Sequence, residues 1–125
     1  MTEYAVNDII LPMAWDVVLT TECAEWYGSL SEAEQDSVIP VIDLLEAEGP
    51  TLRYPHSSGI MGSAFSHMRE LRIQHQGEPY RILYAFDPKR TAVLLIGGCK
   101  TGDNRWYETN IPKADRLYAD WMKGL

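Results

Sequence analysis

Residues 67–96, HMRELRIQHQGEPYRILYAFDPKRTAVLLI, decide the fold. Apolar and polar residues alternate there with a period of two, the spacing of half-buried strands rather than of a helix. Gln76-Gly77-Glu78-Pro79 and Asp87-Pro88-Lys89-Arg90 are turn sequences. They divide the stretch into strands at His67–Gln74, Tyr80–Phe86 and Thr91–Ile96, the last ending at Gly97-Gly98. Connections this short make successive strands antiparallel, as in a meander. Alternation also sorts the side chains. Tyr80, Ile82, Tyr84 and Phe86 share one side of their strand, while Arg81, Leu83 and Ala85 share the other. The larger apolar set should meet helices, so Arg72 and Arg81 should project together from the opposite, partly open face. Two neighbouring guanidiniums repel unless an anion lies between them. Glu70, on the same face, is one such anion, and a bound phosphate is the other.

Outward from this stretch the period changes. Residues 1–13 read as an irregular arm closed by Pro12, and Trp15–Thr20 (WDVVLT) as a β-branched first strand. Glu22–Leu30 reads as a short helix with Thr21 as its N-cap. Ser31 and Glu34 form an S-x-x-E capping box that opens a helix running to Gly49-Pro50. Val38, Val41, Ile42 and Leu45 line one face of that helix, and Pro40 should kink or split it. Its acidic residues belong to the outer face. Thr51–Ser66 reads as a long loop. Pro112 is expected in the first turn of a closing helix capped by Asn110, with Ile111, Ala114, Leu117, Tyr118 and Trp121 as its buried stripe. The expected fold is α+β: two N-terminal helices packed on a small, mainly antiparallel four-stranded sheet, with a C-terminal helix.

With 125 residues the chain is expected to be a single domain, 1–125, large enough to bury a core. Its 46% hydrophobic and 23% charged residues are globular composition. No apolar run has the roughly 18 residues of a membrane span, and an N-terminus bearing Glu3 and Asp8 makes a poor secretory signal. Cys23 and Cys99 form no disulfide framework and no metal pattern. A cytoplasmic protein is expected.

Charge is unevenly distributed. All 11 Lys and Arg residues follow position 52, whereas residues 1–50 carry only acidic charge within a net charge of −7. The basic half also holds Tyr80, Tyr84, Trp106 and Tyr107 among Arg72, Arg81, Lys89, Arg90, Lys100 and Arg105. Cations for phosphate and aromatic faces for bases are what a single-stranded nucleic acid requires. A solvated surface would need the same charges for solubility alone.

Three segments carry a family resemblance: ELR (Glu70–Arg72), EPYRILYAFDPKR (Glu78–Arg90) and VLLIGGCKTGDNRWYETNIPKADRLY (Val93–Tyr118). Their order and spacing, with LEAEGPTLRYPHSSGIMGSAF upstream, resemble the HigB-like branch of the RelE/ParE superfamily of bacterial type II toxins. The resemblance implies a metal-independent and cofactor-independent endoribonuclease that cuts messenger RNA on the ribosome. The RNA 2′-hydroxyl would attack the adjacent phosphate, so the protein need only move protons and stabilise charge. By the same resemblance Arg81 would clamp the scissile phosphate. Lys100 and Arg105 would add cations, Tyr107 would transfer a proton or stack on a base, and Arg72 would assist proton transfer. His56, Lys89, Arg90 and Trp106 would contact the RNA. Met61 stands where such toxins commonly have a lysine, and the chain is acidic where relatives are mostly basic. The implied partners are a helix-turn-helix antitoxin and ribosome-held message, with no membrane and no metal. The acidic face at Glu32–Glu48 would meet a basic antitoxin segment. A poison of DNA gyrase, or a non-catalytic RNA- or protein-binding module, are the alternatives.

Overall fold

The computed structural model describes residues 14–125 and, as backbone, the strands β1 (Glu3–Val6) and β2 (Ile9–Pro12). These two strands pair antiparallel, Val6 opposite Ile9, so the arm expected to be irregular contains a strand pair.

The main sheet has five strands, not four. Along the chain β3 (Asp16–Leu19) precedes helices α1 (Thr21–Ser29) and α2 (Glu32–Glu48). Strands β4 (Ser57–Gly59), β5 (Arg69–His75), β6 (Glu78–Phe86) and β7 (Thr91–Cys99) follow, then helix α3 (Trp106–Lys123). Spatial order is β3-β7-β6-β5-β4, antiparallel throughout except for the parallel β3–β7 pair. The meander forms as its alternation and turns predict. Strand β4 lies inside the expected loop. It is held there because Ser57 is buried, shares a 2.6 Å hydrogen bond with the Tyr84 hydroxyl, and accepts one from Arg69 Nε at 3.0 Å.

Both N-terminal helices are present, with the cap of α1 one residue earlier than expected. Thr20, not Thr21, accepts the Cys23 amide. The Ser31–Glu34 capping box is complete, and α2 runs unbroken through Pro40. Helix α3 starts five residues before the expected position, at Trp106 rather than Ile111. Asn110 donates to the Trp106 carbonyl within the helix rather than capping it, and Pro112 is internal.

Two cores flank the sheet. Leu71, Ile73, Tyr80, Ile82, Tyr84 and Leu94 pack against Cys23, Val38, Val41 and Leu45 of α1 and α2. On the other face Met68, Leu83, Ala85, Val93 and Leu95 pack against Trp106, Ile111, Ala114 and Tyr118 of α3. Helix α3 thus covers much of the face that was expected to be partly open. Gly97 and Gly98 serve one core each. A Cβ at Gly97 would strike the Trp26 ring, and one at Gly98 would lie 2.6 Å from Trp106 Nε1. The chain needs glycine there because an indole lies against each side of β7.

Candidate active site

Beside the α3 core the same sheet face turns polar. Arg72 and Arg81 are directly opposed on β5 and β6, so their side chains leave the sheet on one side, as alternation predicts. Glu70 lies between them and is only 4% exposed. Its Oε2 accepts Ser58 Oγ at 2.7 Å and Arg72 Nη1 at 3.1 Å. Its Oε1 accepts the Tyr107 hydroxyl at 2.6 Å, and Arg81 Nε stands 3.6 Å away. The anion between the two guanidiniums is thus the protein's own carboxylate.

Tyr107 reaches this cluster from the first turn of α3, and Lys100 from the loop after β7. Lys100 Nζ donates to the Tyr107 hydroxyl at 3.2 Å and lies 4.7 Å from its ring centroid. The Lys100 amide bonds to the Pro79 carbonyl at 2.9 Å, which continues the ladder past β7 and fixes where the loop leaves the sheet. Burial, then the nearby Arg81, hold the Lys100 ammonium below the ordinary lysine pKa, so it gives up its proton more readily. Tyr107 moves the opposite way. Burial first, then its hydrogen bond to Glu70, raise the phenol above its ordinary value, with Arg81 opposing. Three cations, Arg72, Arg81 and Lys100, surround one carboxylate, so the cluster retains positive charge.

Tyr107 lies on the wall of three adjoining depressions. One of about 670 Å³ is bounded by Glu78, Lys100 and the loop to Asn104. One of about 300 Å³ exposes Glu70 beside Gly59 and Met61. A third of about 290 Å³ runs between Met61, Gly62 and Pro112. Met61, on the lip of the two smaller ones, is 91% exposed. Ser63 Oγ and the Ala64 amide both donate to Asp115 of α3, at 2.5 and 2.8 Å, and tie this loop down.

Of the expected site residues, Arg72, Arg81, Lys100 and Tyr107 come together around Glu70. Arg81, however, is only 4% exposed rather than displayed on the surface. Its Nη1 donates to the Tyr80 carbonyl, and its buried Nε has no hydrogen-bond partner among the described residues. A guanidinium so enclosed faces Glu70 and Tyr107 rather than open solvent. Arg105 does not join the cluster, because its guanidinium makes a two-pronged contact to Glu108 at 2.9 and 3.0 Å. Trp106 is buried over Gly98 and offers no open ring. Lys89 and Arg90 occupy the β6–β7 turn, at the opposite end of these strands from Lys100, where Arg90 stacks on Trp15. The His56 carbonyl accepts the Arg72 amide at 2.8 Å, which places its backbone beside the cluster. Sequence reading missed the centre of the site. Glu70 was legible only as a charge neutraliser, and Tyr54, stacked 5.1 Å from the Arg72 guanidinium, carried no signal.

Residues 25–119 match the family profile described as phage-derived protein Gp49-like. A Mycobacterium tuberculosis protein named "Putative toxin HigB3" is 45% identical over 107 residues, covering 85% of this chain and 92% of that protein. The chain belongs to the HigB-like toxins of the RelE superfamily. A second M. tuberculosis relative, "Putative toxin HigB2", is 39% identical over 99 residues, which are 78% of this chain and 49% of that longer protein. Solved RelE structures share the fold. The toxin of the M. tuberculosis RelBE2 toxin–antitoxin complex superposes with a TM-score of 0.51 at 18% identity, over 70% of this chain and 99% of that one. An arginine double mutant of E. coli RelE in the free state superposes at 0.54 and 12% identity, over 77% and 94%.

Proposed function

We propose that this chain, read as one domain over residues 1–125, is the toxin of a type II toxin–antitoxin pair. In this reading it is a cytoplasmic endoribonuclease that cuts ribosome-held messenger RNA without metal or cofactor. The observation that carries the reading is the Lys100–Tyr107 pair, two proton-transfer groups 3.2 Å apart on the wall of an open groove. Groups this close can flank one phosphate and reach both its attacking and its leaving oxygen. Lys100, with its depressed pKa, takes the proton of the 2′-hydroxyl. Tyr107, which stays protonated at neutral pH, supplies the proton to the leaving 5′-oxygen. Arg72, partly exposed beside them, stabilises charge on the phosphate, and Arg81 acts from behind through Glu70. His56 and the exposed Met61 loop border the path of the RNA.

The antitoxin is assigned to the other side of the sheet. Helix α2 packs on the face opposite the cluster, and Glu32, Asp36, Asp43, Glu46 and Glu48 are exposed there. A Lys/Arg-rich antitoxin segment complements that surface. Glu34 is excluded from this role because it serves the capping box and accepts the Tyr80 hydroxyl. Reversing Asp36, Asp43 and Glu46 to Lys should slow antitoxin association at low salt.

Primer extension on messages recovered after induction tests the function. New 5′ ends within translated frames are expected for the wild type and not for Lys100→Met. Growth arrest with intact message and inhibited gyrase would refute the nuclease reading.

A further inference from the structure

Among the site's groups, the expected family residues leave Glu70 without a task. A carboxylate so buried is costly unless its oxygens are occupied, and here both are. Oε1 accepts Tyr107 at 2.6 Å with Arg81 behind it, and Oε2 accepts Ser58 and Arg72. The charged groups at the Tyr107 hydroxyl are Glu70 of β5, Arg81 of β6 and Lys100 of the loop after β7. Arg72 of β5 is bound to the other Glu70 oxygen, and Glu78 of β6 lines the same depression as Tyr107. Glu78 is engaged by Thr101, and on α3 itself Arg105 and Glu108 are engaged with each other. Without Glu70, the phenol would face Arg81 and Lys100 alone, a setting that favours phenolate. A phenolate has no proton to give.

We propose that Glu70 is the positioning residue of this site, aiming the Tyr107 hydroxyl and keeping it protonated against the surrounding cations. The inference rests on the nuclease reading and gives its acid a controlling partner. In the step concerned, the P–O5′ bond breaks and its electron pair goes to O5′. Tyr107 passes its proton to O5′, becomes phenolate, and is reprotonated from water. An alkoxide is a much stronger proton acceptor than a carboxylate, so the proton leaves Glu70's hydrogen bond only when the bond to phosphorus breaks. The raised Tyr107 pKa, caused by burial first and Glu70 second, agrees with this role.

The test is an NMR titration of Tyr107 in ring-labelled protein, its signal assigned by loss in Tyr107→Phe, alongside the pH profile of cleavage. In Glu70→Gln the titration should move down by about one unit or more, and the alkaline limb of cleavage should move with it. Glu70→Asp keeps the charge but withdraws it from Tyr107, so it should shift both in the same direction by less. That variant also decides the question if Glu70→Gln does not fold. A Tyr107 titration unmoved in both variants, with cleavage intact in the wild type, would overturn the inference alone. No cleavage by the wild type would sink the nuclease reading and take the inference with it.

Discussion

The two faces of the five-stranded sheet are built from the same three strands, yet they solve different problems. Toward α1 and α2, the β5–β7 meander presents Leu71, Ile73, Tyr80, Ile82, Tyr84 and Leu94, an uninterrupted apolar surface. Toward α3, the apolar side chains stop at Leu83, and Glu70, Arg72 and Arg81 take over where Tyr107 crosses the sheet. The first face gives stability through area removed from water. The second buries charge, which stabilises little by itself and requires each partner to be present. A face that gains little in stability from its buried ions is where a site is expected to lie.

Breaking each face should therefore fail differently. The largest loss is expected for Arg81→Met, which leaves Glu70 as a buried carboxylate short of a cation, at about 3–5 kcal/mol by chemical denaturation. The double variant Glu70→Gln/Arg81→Met should recover much of it, because no uncompensated charge remains. Additive losses in that cycle would show that the pair is not coupled. On the apolar face Leu71→Ala should cost about 3 kcal/mol through an unfilled cavity, with cleavage reduced no further than the folded fraction.

A smaller effect should come from the link between the apolar face and α2. Tyr80 donates to Glu34 and its pKa is raised to about 12, so the folded state holds that proton more tightly than the unfolded chain. Its contribution is full below the ordinary value of 10 and is lost as pH rises through about 12. Glu34 is lowered, chiefly by the Tyr80 hydrogen bond, so its contribution is full above the ordinary 4.5 and is lost as pH falls through the depressed value. Thermal melts across that window should flatten at both ends in Glu34→Gln. The smallest effect is expected for Arg105→Ala, which breaks only an exposed contact to Glu108 and should leave cleavage within about twofold.

The apolar face was legible in the sequence because its signals are local. Alternation, two turn sequences and a capping box each act within a few residues. What was missed depends on contacts between distant segments. Strand β4 has a loop's composition and forms because Ser57 meets Tyr84 and Arg69. Helix α3 has no side-chain cap at Arg105, and starts early because Trp106 is anchored over Gly98, so Pro112 marked the wrong turn. The cluster was half legible. Alternation placed Arg72 and Arg81 on one face, but it could not tell that α3 would fold over them and make Glu70, rather than a ligand, their common anion. Cys23, lying in the apolar core with a thiol pushed up to about 12 by burial, has no part in the chemistry.

If the proposed nuclease reading holds, the polar face cleaves RNA through the RNA's own 2′-hydroxyl. Purified protein added to translating ribosomes, on a message with a single 2′-O-methyl group at the mapped cut, tests it directly. Cleavage of the unmodified message to a 2′,3′-cyclic phosphate end, lost at the methylated nucleotide and reduced by about two to three orders of magnitude in Tyr107→Phe, is the predicted result. Equal cleavage of the methylated message, or full activity in a folded Tyr107→Phe protein, would contradict it.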